Sequence, residues 1–271
     1  MPLELRIPEW IALGFFLYLA VATLLLPLPA DRKRRAIARA ILISAFIVVT
    51  AGLDGVTAAR ARDGLPLAYL LLGYWLPAHL VQRTNPKLEE MLLAFDRRLF
   101  GAGGLARFAK TAPRLVIELL ELAYLLCYPV LPLGFIWLVF RGFPEQGDRF
   151  WTAVLLAGFC CYGLLPWLAT RAPRAIEDTS PRRRSSIRVL NLHILDRASV
   201  QLNTFPSGHT AASLAAALVV RKHLWSAGAV LVVIAFGIAI GSVVGRYHYA
   251  ADAIAGAAVA LAAFALSGVL I

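Results

Sequence analysis

The chain has 271 residues, of which 60% are hydrophobic and 16% are charged, and its mean hydropathy is +0.72. Soluble globular proteins have about 45–50% apolar and about 25% charged residues, so this composition excludes an ordinary soluble domain and a disordered chain. The net charge is +11, but the basic residues lie between long apolar runs instead of on one soluble face, which argues against a nucleic-acid-binding surface. We therefore expect an integral membrane protein whose charges lie in its loops.

A helix needs roughly 20 apolar residues to cross the hydrocarbon core of a bilayer. About eight runs approach this length, and runs this continuous favour helices over the alternating strands of a barrel. They cover residues 9–29, 36–56, 65–82, 114–140, 150–169, 207–221, 224–244 and 249–271. The predicted fold is an all-α integral membrane bundle of about eight transmembrane helices. Residues 1–64 would supply two N-terminal helices, and residues 65–271 would form a six-helix catalytic core.

The charges of the connections predict the orientation of the bundle. The first run is expected to be a retained helix with its N-terminus outside, because its basic cluster at 31–35 follows the run, whereas a signal peptide has its positive charge in front. With eight crossings, one side of the membrane holds 20 Lys and Arg residues and the other holds 7. Basic loops stay in the cytoplasm, so the former side is predicted to be cytoplasmic.

Two long connections, at 83–113 and 170–206, mix basic and apolar residues. In the first connection this mixture predicts an amphipathic helix in the membrane interface, with a plain loop as the alternative. In the second, Arg182–Arg184 are typical of attraction to lipid head groups or of topology control. Residues 186–204 are predicted to form another interfacial segment that covers whatever lies beneath it.

Two polar clusters fall on the predicted cytoplasmic side. The first is Phe205–Thr210, where Pro followed by Ser signals the start of a helix. The exposed amides of a helix start, with the positive end of the helix dipole, form a seat for an anion, and His209 lies beside that seat. The alternative is a capped helix start with an interfacial histidine.

The second cluster is Gly245–Asp252. His248 and Asp252 are four residues apart, one helical turn, so they are predicted to share a face. A carboxylate on one imidazole nitrogen fixes the tautomer and leaves the other nitrogen nucleophilic. Arg246 supplies a guanidinium suited to phosphate. The alternative is a structural His–Asp pair that anchors the helix end.

Two imidazoles, a carboxylate, an arginine and an anion seat on one membrane face are the groups that phosphoryl transfer requires. No cluster of carboxylates or cysteines has metal-ligand spacing, so neither a metal nor another cofactor is expected, and the three cysteines are predicted to pack as small hydrophobic residues. Glu118 and Glu121, one turn apart in an apolar run, are predicted either to pair with loop arginines or to line a substrate path together with Tyr247.

Pro206–His209, followed after one helical hairpin by Arg246, His248 and Asp252, resembles the type 2 phosphatidic acid phosphatase (lipid phosphate phosphatase) superfamily. The resemblance implies that the last six helices form that family's core and that no metal is used. It also implies that His248 is phosphorylated, that Asp252 orients it, and that His209 protonates the leaving group.

The same resemblance assigns phosphate contacts to Ser207 and Gly208. The family's third motif usually has an arginine six residues before the histidine, where this chain has Ser242, so Arg246 is expected to replace it from one helical turn away. The family's first motif is absent. Its best substitute is Arg171 with Arg174, and this form, with the Asn203–Pro206 entry, is similar to the inositol phosphorylceramide synthase branch.

We therefore expect a membrane phosphatase that hydrolyses a phosphate ester of a lipid or isoprenoid phosphate through a phosphohistidine. Its expected partners are a phospholipid or polyprenyl phosphate substrate and membrane lipids, with no nucleic acid. One alternative is a phosphotransferase that moves a phospho-headgroup to an alcohol or lipid acceptor. Another is a non-enzymatic lipid-phosphate transporter or scaffold, since a fold does not determine a function.

Overall fold

The computed structural model describes residues 4–177 and 185–271, and within them the only regular structure is helical, apart from one isolated bridge between Thr170 and Asn203. This confirms the all-α prediction. The first seven helices are α1 (Ile7–Leu25), α2 (Ala30–Ala51), α3 (Val56–Ala78), α4 (Pro86–Phe100), α5 (Gly104–Thr111), α6 (Arg114–Leu125) and α7 (Val130–Phe140). The remaining helices are α8 (Gly147–Gly163), α9 (Leu165–Leu168), α10 (Ser186–Ala198), α11 (Gly208–His223), α12 (Trp225–Val244) and α13 (Ala250–Leu270).

Among the described residues, four helical segments are long and apolar enough to cross a membrane, and a fifth is added if α6 and α7 count as one bent span. The four are Ile7–Leu25, Pro144–Leu168, Trp225–Val244 and Ala250–Leu270. Eight transmembrane helices are therefore not confirmed. Helices do form over the other predicted runs, but they differ from a spanning helix in composition or length.

The differences have simple causes. The first half of α2 carries a dense group of charges between Asp31 and Arg39, so only its second half is apolar. In α3, Arg60, Arg62 and Asp63 leave a short apolar stretch. Helix α11 has 16 residues and ends on basic residues. These helices lack the roughly 20-residue apolar length of an independent span.

The predicted run 114–140 is not one straight helix, because α6 and α7 meet at an angle of 69°. Pro129 lies in the break and Pro132 lies in the first turn of α7. A proline inside a helix removes one backbone hydrogen bond and clashes with the carbonyl four residues before it. The bend places α6 against α10 and α12, and α7 against α8 and α11.

Helices α8 and α11 form the centre of the bundle, and almost every residue between Phe150 and Gly163 is buried. Helices α1 and α3 pack on one side of α8, where the rings of Phe15 and Phe159 stack with centroids 4.0 Å apart. Helices α12 and α13 pack on α11. Other helices therefore surround α11, whose start carries the first polar cluster.

The bundle has two distinct ends. One end gathers Arg6, Asp63 and Asp148, with Arg6 Nη1 lying 2.6 Å from Asp63 and 3.5 Å from Asp148. At the opposite end α11 and α13 begin, and α4, α5 and α10 pack there as short helices. The two connections thus form helices as expected, while their place in the membrane interface stays a prediction. Arg182–Arg184 lie outside the described residues.

Candidate active site

The start of α11 is fixed by contacts to α13 and α8. Ser207 caps the helix, its hydroxyl accepting from the Thr210 amide at 3.4 Å, and its own amide donates to the Asp252 carbonyl at 3.0 Å. A Cβ atom at Gly208 would overlap the ring of Tyr162, so this position has room only for glycine. Ser207 is fully buried behind the helix start, whereas Gly208 lines a polar cavity in front of it.

His248 and Asp252 are paired, but not on one helix. Helix α12 ends at Val244 and α13 begins at Ala250, so His248 lies in the turn between them. Its Nδ1 lies 3.3 Å from Asp252 Oδ2. The pair forms because Asp252, three residues after the helix cap, turns back to accept the Tyr249 amide at 3.0 Å. With the carboxylate at Nδ1, the lone pair of the neutral ring is at Nε2.

Asn203 also contacts Asp252, which the sequence did not predict. Its Nδ2 donates to Asp252 Oδ2 at 2.6 Å, and both side chains are buried. The Asn203 backbone pairs with Thr170 through two hydrogen bonds of 2.7 and 3.2 Å. Asp252 Oδ2 therefore contacts three nitrogen atoms, and the Asn203 side chain and the Tyr249 amide hold it against the third, Nδ1 of His248.

His209 lies on the other side of the cavity from this pair. The ring centroids of His209 and His248 are 5.9 Å apart, and the rings are nearly perpendicular at 84°. Three tyrosine rings surround His209 at centroid distances between 6.0 and 6.5 Å, those of Tyr74, Tyr124 and Tyr128. The structure thus brings together both histidines that the sequence singled out.

The polar cavity between them has a volume of about 30 Å³, which is room for about one water molecule. Its lining includes four tyrosines, both histidines, Asn203, Thr204 and Arg174. Leu195 of α10 and residues of the segment after it complete the lining, and the covering role of this part of the chain stays a prediction. A phosphate ester enters only when the lining residues move apart.

Arg174 is the only Lys or Arg among the described residues that line the cavity. Its guanidinium lies 5.3 Å from the centre of the Tyr247 ring, and its amide donates to the Arg246 carbonyl at 3.1 Å. Tyr247 stacks on Tyr124 with centroids 4.1 Å apart. Arg174 and Tyr247 thus both line the cavity, while the phosphate contact of Arg174 and the place of Tyr247 on a substrate path stay predictions.

The guanidinium of Arg246 has a different position from the one expected. The segment is a turn, with Arg246 in the left-handed region at φ 61°, so the expected helical register does not exist. Its side chain is 3% exposed and binds Asp96 Oδ2 at 2.7 Å and Glu177. Arg246 therefore lies outside the cavity lining, between two carboxylates.

Arg171 is likewise paired with a carboxylate. Its guanidinium and its amide both donate to Glu89, at distances of 2.7–3.2 Å. Burial acts to raise the pKa of Glu89, but these hydrogen bonds outweigh it and hold the pKa below its usual value. Burial raises the pKa of Asp96 above its usual value, although the Ala250 amide and Arg246 act in the opposite direction.

Glu89 and Asp96 are seven residues apart on α4 and share one face with Leu92 and Leu93. Sequence reasoning predicted this helix from its apolar residues and missed the two acids on its buried face. Their spacing was the available signal, because two carboxylates in register with an apolar stripe need buried partners.

Glu118 and Glu121 lie outside the polar cavity and hold α10 in place. Glu121 accepts from the Tyr247 hydroxyl at 2.6 Å, from Arg188 at 2.8 Å and from Asn191 at 2.9 Å. Glu118 accepts from the Ser185 hydroxyl at 2.7 Å. Glu121 thus pairs with an arginine of the long connection, Arg188, whereas Glu118 contacts Ser185 and Arg114 of its own helix.

Among residues 4–177 and 185–271, no group of three or more His, Cys, Asp or Glu side chains is placed to hold a metal ion. A family model described as the PAP2 superfamily matches residues 90–266 of the chain. That range contains every residue of the cavity lining except Tyr74. No curated protein and no solved structure matches the chain.

Proposed function

The chain belongs to the PAP2 superfamily, and from that premise we propose that it is a membrane enzyme that hydrolyses a lipid or isoprenoid phosphate ester through a phosphohistidine. Family membership supports phosphatase or phosphotransferase chemistry on phosphate esters, and the apolar helices support a membrane location. The observation that carries the proposal is the facing pair of imidazoles, 5.9 Å apart, with a buried carboxylate on Nδ1 of one of them.

In the first step, Nε2 of His248 attacks phosphorus and the P–O bond to the leaving alcohol breaks as the N–P bond forms. Burial and the neighbouring His248 lower the pKa of His209 in the closed cavity, so His209 takes up a proton when the phosphate anion binds beside it and then gives that proton to the leaving oxygen. Asp252 stabilises the positive charge that develops on the His248 ring, in the same way that a carboxylate supports the imidazole of a catalytic triad. The products of this step are an alcohol and a phosphohistidine.

In the second step, water attacks phosphorus, its proton returns to His209, and the N–P bond breaks to release phosphate. Arg174 neutralises the phosphoryl oxygens, and the His209 amide in the first turn of α11 supplies a further donor, since the Gly208 and Thr210 amides already donate to Thr204 and Ser207. Arg246 and Arg171 support this site indirectly, because carboxylates already bind their guanidinium groups.

Transfer to an alcohol is the second candidate, because membership of the PAP2 superfamily supports phosphatase and phosphotransferase chemistry alike. The phosphoenzyme is the same in both reactions, and only the second nucleophile differs. An alcohol acceptor would deliver its proton to His209 just as water does.

The test is a panel of radiolabelled phospholipids and polyprenyl phosphates incubated with the purified protein in nanodiscs. We expect release of inorganic phosphate and an acid-labile labelled protein. His248→Ala should abolish the label and lower turnover by about 10⁴-fold or more, while His193→Ala, at an exposed position on α10, should leave both unchanged.

Near wild-type turnover of the His248→Ala variant would overturn the mechanism. A labelled product that appears only with an added alcohol, without free phosphate, would replace hydrolysis by transfer. Tight lipid-phosphate binding with neither turnover nor a labelled protein would favour the non-enzymatic transporter or scaffold.

A further inference from the structure

A second cavity, separate from the polar one, opens between α12 and α13. It has a volume of about 340 Å³ and its wall exposes only apolar atoms. Leu214 of α11 lies on its floor, and Leu99, Phe100 and Leu105, from the α4–α5 segment, close one end. No residue lines both this apolar groove and the polar cavity.

The groove exists because small residues face it from both helices. Ala239 of α12 and Ala253 of α13 line it, while Phe236, Ile240 and Ile254 line its exposed edges. Both helices pack closely on α11 but touch each other little. A volume of this size lies within the range of about 300–1,000 Å³ that is typical of small-molecule sites.

The segment that closes the groove is strongly basic. It contributes four exposed basic side chains, none of which forms an ion pair with a described residue: Arg97, Arg98, Arg107 and Lys110. No acidic residue occurs between Asp96 and Glu118. Phe95 and Phe108 are exposed on the same segment, at 41% and 42%. Basic and aromatic side chains together are typical of a surface at the level of lipid head groups.

The place of the α4–α5 segment in the fold agrees with a position at the level of the lipid head groups. The groove reaches the end of α12 at Val243 and Val244 and the start of α13 at Ala250. Both helices are candidate spans. The basic segment therefore lies at the end of two spans, directly above an apolar groove that runs between them.

We propose that the groove and the α4–α5 segment bind one anionic phospholipid. One acyl chain occupies the groove, and the phosphate contacts the free arginines of the segment. This lipid is not the substrate, because its site shares no lining residue with the catalytic cavity. The inner face of α4 holds Arg246 through Asp96, so the bound lipid stabilises the turn that carries His248. The proposal does not depend on the reaction proposed above.

The experiment measures lipid retention by native mass spectrometry on the full-length protein, delipidated and offered phosphatidylglycerol or phosphatidylcholine. We expect the wild type to retain one phosphatidylglycerol in preference to phosphatidylcholine. Arg97→Gln with Arg98→Gln should reduce this preference by about tenfold or more. Ala239→Phe, which fills the groove, should reduce retention of the same lipid.

Matched controls separate the site from general effects. Arg34→Gln with Arg60→Gln removes two exposed arginines elsewhere, and Ala45→Phe fills a groove between α1 and α2. Both should retain phosphatidylglycerol as the wild type does. Arg97→Lys with Arg98→Lys keeps the charge and should restore binding, which distinguishes lost contact from lost folding.

Equal retention of the two lipids by the wild type would overturn the proposal, as would unchanged retention in the Arg97 and Arg98 double variant. Competition by inorganic phosphate alone would overturn it too, since it would show a site for a free anion. A rise in KM for long-chain substrates in Ala239→Phe, without loss of phosphatidylglycerol, would assign the groove to the substrate chain instead.

Discussion

At the level of single residues, the carboxylate of Asp252 depends on Asn203. Asn203 Nδ2 is its shortest donor, at 2.6 Å, and the Asn203 backbone is tied to Thr170, which precedes the arginine-containing segment 171–174. The Asn203 side chain thus links the segment before α11 to the His248–Asp252 pair. Asn203 touches Asp252 and not the reacting histidine nitrogen, so its expected role is positioning.

We predict that Asn203→Ala lowers kcat by about 10²-fold with little change in KM, because a misplaced nucleophile loses reactivity without losing substrate binding. Asn203→Asp should be at least as severe, since it removes the donor and sets two carboxyl groups against each other. The measurement is the rate of phosphoenzyme formation in a single turnover. An increase in KM at unchanged kcat would contradict a positioning role.

Arg174 and Arg171 provide a test of which arginine meets the phosphate. Arg174 lines the cavity, whereas the guanidinium of Arg171 binds Glu89 and is half exposed. Arg174→Gln should lower kcat/KM by about 10²–10³-fold, the effect of losing one group that stabilises transition-state charge. Arg171→Gln should keep kcat/KM within about tenfold and lower the unfolding temperature. Equal losses of activity in both variants would contradict this assignment.

The sequence predicted the histidines of the site better than its arginines, and the reason is physical. His209, His248 and Asp252 are held by local features, a helix cap and the first turn of α13, which short motifs encode. The position of an arginine side chain depends on where the fold places its acidic partners, which are distant in the sequence. Glu89 and Asp96 reach Arg171 and Arg246 from 82 and 150 positions away in the chain.

At the level of elements, α4 has a buried face that forms ion pairs and an exposed face that is apolar. Its buried face carries Glu89 and Asp96, and its outer face exposes Met91, Phe95 and Leu99 one turn apart. The mixture of apolar and basic residues in this connection predicted an amphipathic helix. It did not predict that the buried face is anchored by charges, because a carboxylate in an amphipathic pattern is normally assigned to the solvent side.

Asp96 joins α4 to the turn before α13, since one oxygen accepts from Arg246 and the other from the Ala250 amide at 2.9 Å. We predict that Asp96→Asn lowers kcat/KM by about tenfold and also lowers thermal stability, because Arg246 keeps only Glu177 as an ionic partner. Adding Arg246→Gln to Asp96→Asn should cost less than the sum of the two single effects. Strict additivity of unfolding free energies would show that the buried pair is not coupled.

The bend between α6 and α7 shows where hydropathy alone fails. Residues 114–140 are apolar enough for one long helix, and yet Pro129 and Pro132 break it at 69°. The break has a consequence for the site, because it turns α6 so that Tyr124 and Glu121 reach Tyr247. Apolar runs predict how much chain is buried in a bilayer, while prolines within them decide its direction.

At the level of the whole molecule, the charges are sorted between the two ends of the bundle. The end with the two histidines carries the basic start of α2 and the basic residues of the α4–α5 segment, and the other end carries Arg6 with its partners Asp63 and Asp148. Sequence reasoning derived this asymmetry from eight alternating crossings. Composition supports four or five spans. The start of α3 nevertheless lies beside the start of α1, where Arg62 binds Glu9, so α2 between them runs in the opposite direction.

This arrangement predicts the outcome of a cysteine-labelling experiment. In a background with Cys127, Cys160 and Cys161 replaced by alanine, single cysteines are placed at the exposed positions Leu53, Arg98 and Arg141. We expect Leu53→Cys and Arg141→Cys to react with a membrane-impermeant maleimide in intact cells, and Arg98→Cys to react only after permeabilisation. The opposite pattern at all three positions would reverse the orientation and leave the crossings intact. Protection of Leu53→Cys together with Arg98→Cys would instead show that α2 and α3 do not cross, since the turn between them would then lie on the catalytic side despite the 2.7 Å ion pair that joins α3 to the start of α1.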